Sequence, residues 1–188
     1  MKKPKIFIAC DTTNLIKIKK ILKKSKINKI KIGYKFGLEF MNSKNGRNFL
    51  SKLRNKVIFV DLKLNDTVNT MLSAVKALRD LKINYLTVHI SSGLAALKAV
   101  KKISGKIKII GVTVLTSLNN NDLKLIGYNK SVKNLVIHQA KLAKKAGLDA
   151  LVCSPYEVNV LRKIFKGEKV LVATGGFTSA CGLAVAVP

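Results

Sequence analysis

VIFVDLKLND, residues 57–66, joins an apolar strand to a cluster of charges. Its first four residues are β-formers without Gly or Pro, which predicts a buried strand. Asp61 and Lys63 follow at a spacing of two, so both side chains are expected on one face. Asp66 falls just past the predicted strand end. Charges are costly to bury beside an apolar strand unless they pair, which favours a chemical role over ordinary core.

The length and composition predict one globular domain. The chain has 188 residues, of which 48% are hydrophobic, enough to form a sizeable core without disulfides. No apolar run reaches the ~18 residues of a membrane span, and the first residues lead into a strand without a signal segment. The three widely spaced cysteines predict reduced core thiols in a cytoplasmic protein: Cys10, Cys153 and Cys181.

The net charge of +27 is a weak indication of nucleic-acid binding. Only four of the 36 basic residues are arginines, and the lysines are spread along the chain together with many Ile and Asn residues. Codons rich in A and T are sufficient to produce this composition, and aromatic stacking groups are few. We therefore expect neither a nucleic-acid partner nor a membrane.

Seven apolar strands alternate with helices, which predicts a parallel sheet covered by helices. Besides the strand in the stretch 57–66, the predicted strands are 5–11, 29–34, 85–90, 107–115, 150–155 and 169–174. The first strand ends in Asp11 and not in a Gly-rich loop, which disfavours an open dinucleotide-binding sheet. Polar residues at nearly every strand end favour a TIM (β/α)₈-type barrel, whose site lies at that rim. We predict a barrel domain over 1–176 that lacks its eighth strand and stays open, followed by an atypical tail over 177–188.

Several motifs resemble those of the orotidine 5′-phosphate decarboxylase family. Residues 61–70, DLKLNDTVNT, resemble its Asp-x-Lys-x-x-Asp signature, although Thr67-Val68 replaces the usual Ile-Pro. Residues 9–11 resemble its Ala-Leu-Asp, and residues 31–33 its Lys-x-Gly. Residues 112–117 and 147–154 match its fifth and sixth strand regions closely, and residues 87–93 match its Val-His region less fully. The similarity runs from about residue 5 to 172.

The resemblance implies decarboxylation of orotidine 5′-monophosphate to UMP and CO₂ in pyrimidine synthesis, without metal or organic cofactor. Lys63 would protonate the carbon that loses CO₂, and Asp61 would face the substrate carboxylate. Lys31 and Asp66 would complete an alternating charge array. The implied substrate-binding residues are Asp11 and Lys31 at the ribose, Thr116 and Ser117 at the pyrimidine, Gly175 at the phosphate, and Thr70. Because Asp66 and Thr70 serve the neighbouring subunit in this family, a homodimer with shared sites is also implied.

The match ends after the seventh strand. The family reads Thr-Pro-Gly-Ile-Arg where this chain reads TGGFT at residues 174–178, so the phosphate-binding Arg is absent. The lysine-free residues 179–188 resemble nothing in the family. The simplest interpretation is that the sequence is truncated or frameshifted, and we expect its phosphate-binding site to be incomplete.

The same residues allow other interpretations. Asp61 and Lys63 could form a structural salt bridge, Asp11 and Asp66 could be N-caps, and His89 is more often a core histidine than a catalyst. Thr116 and Ser117 could cap the next helix. The chain could also be a Mg²⁺-dependent sugar-phosphate decarboxylase or aldolase of the same superfamily, a non-catalytic fragment, or a basic scaffold.

Overall fold

The computed structural model describes residues 6–25, 31–165, 169–173 and 183–187. Eight strands follow one another along the chain: β1 Ile6–Ala9, β2 Ile32–Gly37, β3 Val57–Leu64, β4 Tyr85–His89, β5 Lys108–Val112, β6 Ala150–Cys153, β7 Lys169–Ala173 and β8 Leu183–Val187. The α-helices are α1 Leu15–Lys24, α2 Leu38–Met41, α3 Gly46–Lys52, α4 Val68–Ala77, α5 Gly93–Ile103, α6 Asn120–Leu125, α7 Val132–Lys145 and α8 Val158–Ile164. Short 3₁₀ turns occupy Arg79–Leu81, Ile90–Ser92 and Pro155–Glu157.

The strands form a closed barrel in the order β1 to β8. Strands β1 to β7 pair in parallel with their neighbours, which confirms the predicted TIM-type barrel and its seven β/α units. Within the described ranges no parallel strand follows β7. The ring is nevertheless closed, so the prediction of an open barrel is wrong. β8, which lies in the 177–188 tail, pairs antiparallel with both β1 and β7. By pairing with both strands, β8 satisfies the backbone groups that β1 and β7 would otherwise expose at open edges.

Strand β2 lies three residues further along the chain than the sequence predicts. It spans Ile32–Gly37, whereas the sequence pattern favours residues 29–34. Lys31 therefore precedes the strand, at the amino end of the barrel. Lys35, near the carboxyl end, pairs with Phe59 of β3. This shift decides which lysine reaches the site.

Two apolar clusters lie on the two sides of the barrel wall. The larger one fills the space between the strands and the helices, with Phe36, Phe40 and Leu50 fully buried. The smaller one comprises Phe7, Val57, Phe59, Tyr85, Ile110 and Ala150.

Phe7, Phe59 and Tyr85 pack their rings together, with centroids 5.2 to 5.9 Å apart. Phe59 and Tyr85 precede Asp61 and Thr87 by two residues, so each aromatic ring lies on the same strand face as the polar side chain. The three rings form a buried apolar layer next to the polar residues.

Helix α1 is capped at its amino end and buries one apolar stripe. Asn14 caps α1 by accepting a hydrogen bond from the Lys17 N–H at 3.0 Å. Buried Ile18 and Leu22 form the inner stripe of this helix, while its lysines face outward. Among the described residues, no helix combines the length and apolarity needed to cross a membrane.

Candidate active site

Charged side chains of β2, of β3 and of the segment just after β1 meet at the carboxyl end of the barrel. Asp11 Oδ2 lies 3.2 Å from Lys35 Nζ, and Lys35 Nζ lies 3.1 Å from Asp61 Oδ2. Lys63 Nζ lies 3.0 Å from the same Asp61 oxygen. The four side chains alternate in charge, so the array as a whole carries no net charge.

Asp61 is the centre of this array. The residue is 8% exposed, and its two carboxylate oxygens accept hydrogen bonds from different residues. Oδ2 accepts from both lysines, and Oδ1 accepts from the hydroxyl of Thr87 at 2.9 Å. Three charge-assisted bonds offset the cost of burying the carboxylate and hold it in one orientation.

The array changes the acidity of its members. Burial raises the pKa of Asp61, but the ammonium groups of Lys35 and Lys63 outweigh burial, and the net pKa lies below the usual value. Burial lowers the pKa of Lys35, yet the carboxylates of Asp61 and Asp11 raise it above the usual value. Both groups are therefore charged at neutral pH.

Strand β3 bends at the site. Its register with β4 shifts between Val60 and Leu64, and Lys63 has a φ of 48°, in the left-handed region that lysine rarely adopts. The Lys63 N–H donates to Thr87 Oγ1 at 2.8 Å. Strained backbone of this kind persists where surrounding contacts hold it, often at functional sites.

Asp11 is fixed from β2 as well as by its ion pair. The Gly37 N–H donates to Asp11 Oδ1 at 2.8 Å. The Asp11 side chain remains 41% exposed, which leaves it open to a polar ligand. The structure thus brings Asp11, Asp61 and Lys63 together at one rim of the barrel.

Lys31 does not join this group. It lies before β2, at the opposite end of the strand from Asp61, and Lys35 occupies the place expected for it. The sequence contains an ambiguous signal for this, because Lys35-Phe36-Gly37 repeats the Lys-x-Gly pattern of residues 31–33, and the repeat alone does not say which lysine reaches the site. The role of Thr87 has no such signal, since a threonine within a strand is an ordinary β-former.

Asp66 and Thr70 lie on the exposed loop and first turn after β3. Asp66 Oδ1 accepts from the Thr67 N–H at 2.6 Å, and the Thr70 hydroxyl lies 3.0 Å from that of Thr67. Within the part of the chain that the structure describes, Asp66 forms no ion pair with the array. Both side chains are open to another molecule.

His89 borders the array from β4. Its Nδ1 lies 2.5 Å from Ser91 Oγ, and the Ser91 hydroxyl donates to Asn65 Oδ1 at 3.3 Å. Burial, followed by the charge of Lys63, lowers the pKa of His89 below its usual value. The neutral imidazole therefore ties β4 to the loop that carries Asp66.

Thr116 and Ser117 lie on the exposed turn after β5. They line an open cavity of about 930 Å³ together with Ser154, Glu157 and residues of α6, α7 and α8. Gly175, predicted at the phosphate, lies outside the described residues. Among those described, no group of three or more His, Cys, Asp or Glu side chains could hold a metal ion.

The chain is similar to known proteins over most of its length. Residues 4–185 match the model of the orotidine 5′-phosphate decarboxylase / HUMPS family. An orotidine 5′-phosphate decarboxylase of Sphingopyxis alaskensis is 45% identical over 138 residues, which cover 72% of this chain and 61% of that protein. The Prochlorococcus marinus enzyme of the same name is 37% identical over 182 residues, covering 91% of this chain and 74% of that protein.

A solved structure of the Lactobacillus acidophilus orotidine 5′-phosphate decarboxylase superposes with a TM-score of 0.74. It is 32% identical, and the match covers 86% of this chain and 76% of that one. The first curated relatives are matched over only about three fifths of their own length, as the 61% and 58% of the Sphingopyxis and Wolbachia pipientis proteins illustrate.

Proposed function

Because this chain belongs to the orotidine 5′-phosphate decarboxylase / HUMPS family, we propose that it decarboxylates orotidine 5′-monophosphate to UMP in pyrimidine synthesis. The observation that carries the proposal is Asp61 Oδ2, shared by Lys35 and Lys63 at 3.1 and 3.0 Å. This arrangement places a fixed carboxylate and a proton donor next to one another at the barrel rim. Residues 61–70 also carry the family signature.

In the proposed step, the bond between pyrimidine C6 and the carboxylate carbon breaks and neutral CO₂ leaves. The electron pair stays on C6, which takes a proton from Lys63 Nζ, and solvent then reprotonates the amine. Asp61 lies close to Lys63, so it would repel the substrate carboxylate and lose that repulsion as CO₂ departs. Thr87 and the two lysines prevent Asp61 from turning away. Preorganised charges of this kind stabilise the transition state without a cofactor.

The remaining contacts are assigned by position. Asp11 and Lys35 would bind the ribose, with Lys35 replacing Lys31 in this role, and Thr116 with Ser117 would approach the pyrimidine. Gly175 would offer its N–H to the phosphate. The family's Arg is absent from residues 174–178. A loop without the guanidinium loses a bidentate phosphate contact, so we propose weak nucleotide binding and low turnover for the chain as it stands.

We also propose a homodimer in which Asp66 and Thr70 act in the neighbouring subunit's site. Both side chains are exposed just beyond Lys63, where a partner's nucleotide could reach them.

A cytoplasmic location fits this function and is supported by the buried thiols of Cys10 and Cys153. Burial, with the carboxylate of Glu157, raises the pKa of Cys153 to about 12.

The test is UMP formation from orotidine 5′-monophosphate, followed by chromatography. The chain is assayed beside a second protein, here called the completed form, which carries in addition the carboxyl-terminal residues of a full-length relative. We expect UMP from the completed form, a lower rate from the chain itself, and no effect of EDTA on either. No UMP from either folded protein would refute the proposal. EDTA-sensitive turnover of a sugar phosphate would instead assign the Mg²⁺-dependent branch of the superfamily.

A further inference from the structure

Thr87 contacts two members of the array, Asp61 and Lys63. It lies in β4 between Leu86 and Val88 and is 0% exposed. Its hydroxyl donates to Asp61 Oδ1 at 2.9 Å, while its oxygen accepts the Lys63 N–H at 2.8 Å. A buried hydroxyl is costly without partners. Here the donor goes to one proposed catalytic residue and the acceptor to the other.

The bond from the Lys63 N–H to the Thr87 hydroxyl oxygen lies where the regular pairing of β3 with β4 is interrupted. The pairing of β3 with β4 is shifted around Lys63, whose φ is 48°. A left-handed lysine needs support from its surroundings, and the Thr87 side chain supplies it. The same conformation directs the Lys63 side chain so that Nζ lies 3.0 Å from Asp61.

The bond from the Thr87 hydroxyl to Asp61 Oδ1 limits the rotation of the Asp61 carboxylate. Both lysines bind Oδ2, so the carboxylate could still turn about the axis through that oxygen. In the described part of the chain, the side-chain hydrogen bond to Oδ1 comes from Thr87. Removing that donor would free the carboxylate that is proposed to face the substrate.

We infer that Thr87 is a positioning residue for the decarboxylation proposed above: its hydroxyl fixes the Asp61 carboxylate and holds the Lys63 backbone in its left-handed conformation. This inference rests on the proposed function for its consequence in turnover. Its geometric part can be tested without turnover.

Two substitutions of Thr87 separate the effect of its hydroxyl from that of its side-chain volume. Thr87→Val keeps the volume and removes the hydroxyl, whereas Thr87→Ser keeps the hydroxyl. Thr113→Val is the matched control, because Thr113 is also 0% exposed and donates to a backbone carbonyl, that of Val152, at 3.3 Å. It loses a buried hydroxyl without touching Asp61 or Lys63.

Nuclear magnetic resonance of the 188-residue chain gives the readout that is independent of activity. In Thr87→Val we expect the Lys63 amide to exchange at least about tenfold faster, and the Asp61 carboxyl to titrate at higher pH. Thr87→Ser and Thr113→Val should leave both signals near those of the parent. Unchanged signals in a folded Thr87→Val protein would overturn the inference.

Turnover is measured with the same variants in the completed form. We expect kcat of Thr87→Val to fall about 10- to 100-fold, the range for a lost bond to a charged group, with KM changed less than about threefold. A kcat within twofold of the parent would overturn the role in catalysis. If Thr87→Val does not fold, Thr87→Ser decides, and a folded serine variant that loses more than tenfold in kcat refutes the hydroxyl as the cause. An inactive parent with the expected resonance changes would count against the proposed function and in favour of the geometry.

Discussion

The Gly37 N–H donates to Asp11 Oδ1 at 2.8 Å, and a Cβ atom on Gly37 would stand 2.6 Å from the same oxygen. The carboxylate therefore occupies the space that a side chain at position 37 would need. Only glycine lets the β2 backbone approach Asp11 this closely.

Gly37→Ala should displace the Asp11 carboxylate and weaken its bond to Lys35. We expect affinity for UMP to fall about tenfold, which corresponds to the loss of one charge-assisted contact. Titration calorimetry on the completed form measures this. The control is Gly111→Ala on β5, where a Cβ would meet flexible side chains of Ile90 and Leu148 at 3.0 to 3.1 Å. Equal affinity in both variants would show that Asp11 does not bind the nucleotide.

Lys35 and Lys31 are predicted to differ sharply in their effect on turnover. Lys35→Ala removes the cation between Asp11 and Asp61, and we expect kcat/KM to fall about 100-fold or more. Lys31→Ala, at the other end of β2, should stay within about threefold of the parent. Steady-state kinetics of the two proteins side by side test the assignment. The reverse order would restore Lys31 as the site lysine.

Asp61 should make stability depend on pH in the acidic range. Its pKa is lower in the folded chain than in the unfolded one, because Lys35 and Lys63 outweigh burial. The stabilisation is therefore complete above the unfolded pKa of about 3.9 and is lost as pH falls through the folded value. Urea unfolding between pH 2 and 7 should show this loss.

Asp61→Asn should remove that part of the acid dependence and lower stability at pH 7 by about 3 kcal/mol, because two partly buried ammonium groups lose their partner. Asp80→Asn is the control. Its ion pair with Arg47 is largely exposed, and such pairs contribute about 1 kcal/mol or less. Identical pH profiles for Asp61→Asn and the parent would contradict the ionised, paired state of Asp61.

Subunit mixing tests the shared site. Lys63→Ala and Asp66→Ala should each be inactive alone, while a hybrid dimer contains one intact site. Random exchange should therefore recover about one quarter of the sites. The measurement is turnover after subunit exchange verified by mass spectrometry of the native dimers. Absence of recovery would mean that each site is built within one chain.

Much of the site could be predicted from residues 57–66, because a short apolar strand that ends in closely spaced charges is rarely ordinary core. The choice between Lys31 and Lys35 could not. The two lysines are four residues apart, so strand alternation places both on the same face. Only the true limits of β2 distinguish them, and such limits are poorly defined in a strand where isoleucines and lysines alternate.

Two further features could not be predicted from the sequence, for physical reasons. The left-handed Lys63 depends on a register shift between β3 and β4 and on a hydroxyl from the neighbouring strand. Closure by β8 depends on edges that exist only once β1 and β7 have formed. Both are long-range relationships, which local propensity does not contain.

The most direct test of the account is the turnover of Lys63→Ala in the completed form of the chain. Lys63 is the proposed proton donor, and it stands at one end of the array with a side chain that is 37% exposed. We expect decarboxylation to fall at least about 1000-fold, with the circular dichroism spectrum and the oligomeric state unchanged. Turnover of orotidine 5′-monophosphate within tenfold of the parent would contradict the assignment of Lys63 and with it the proposed mechanism.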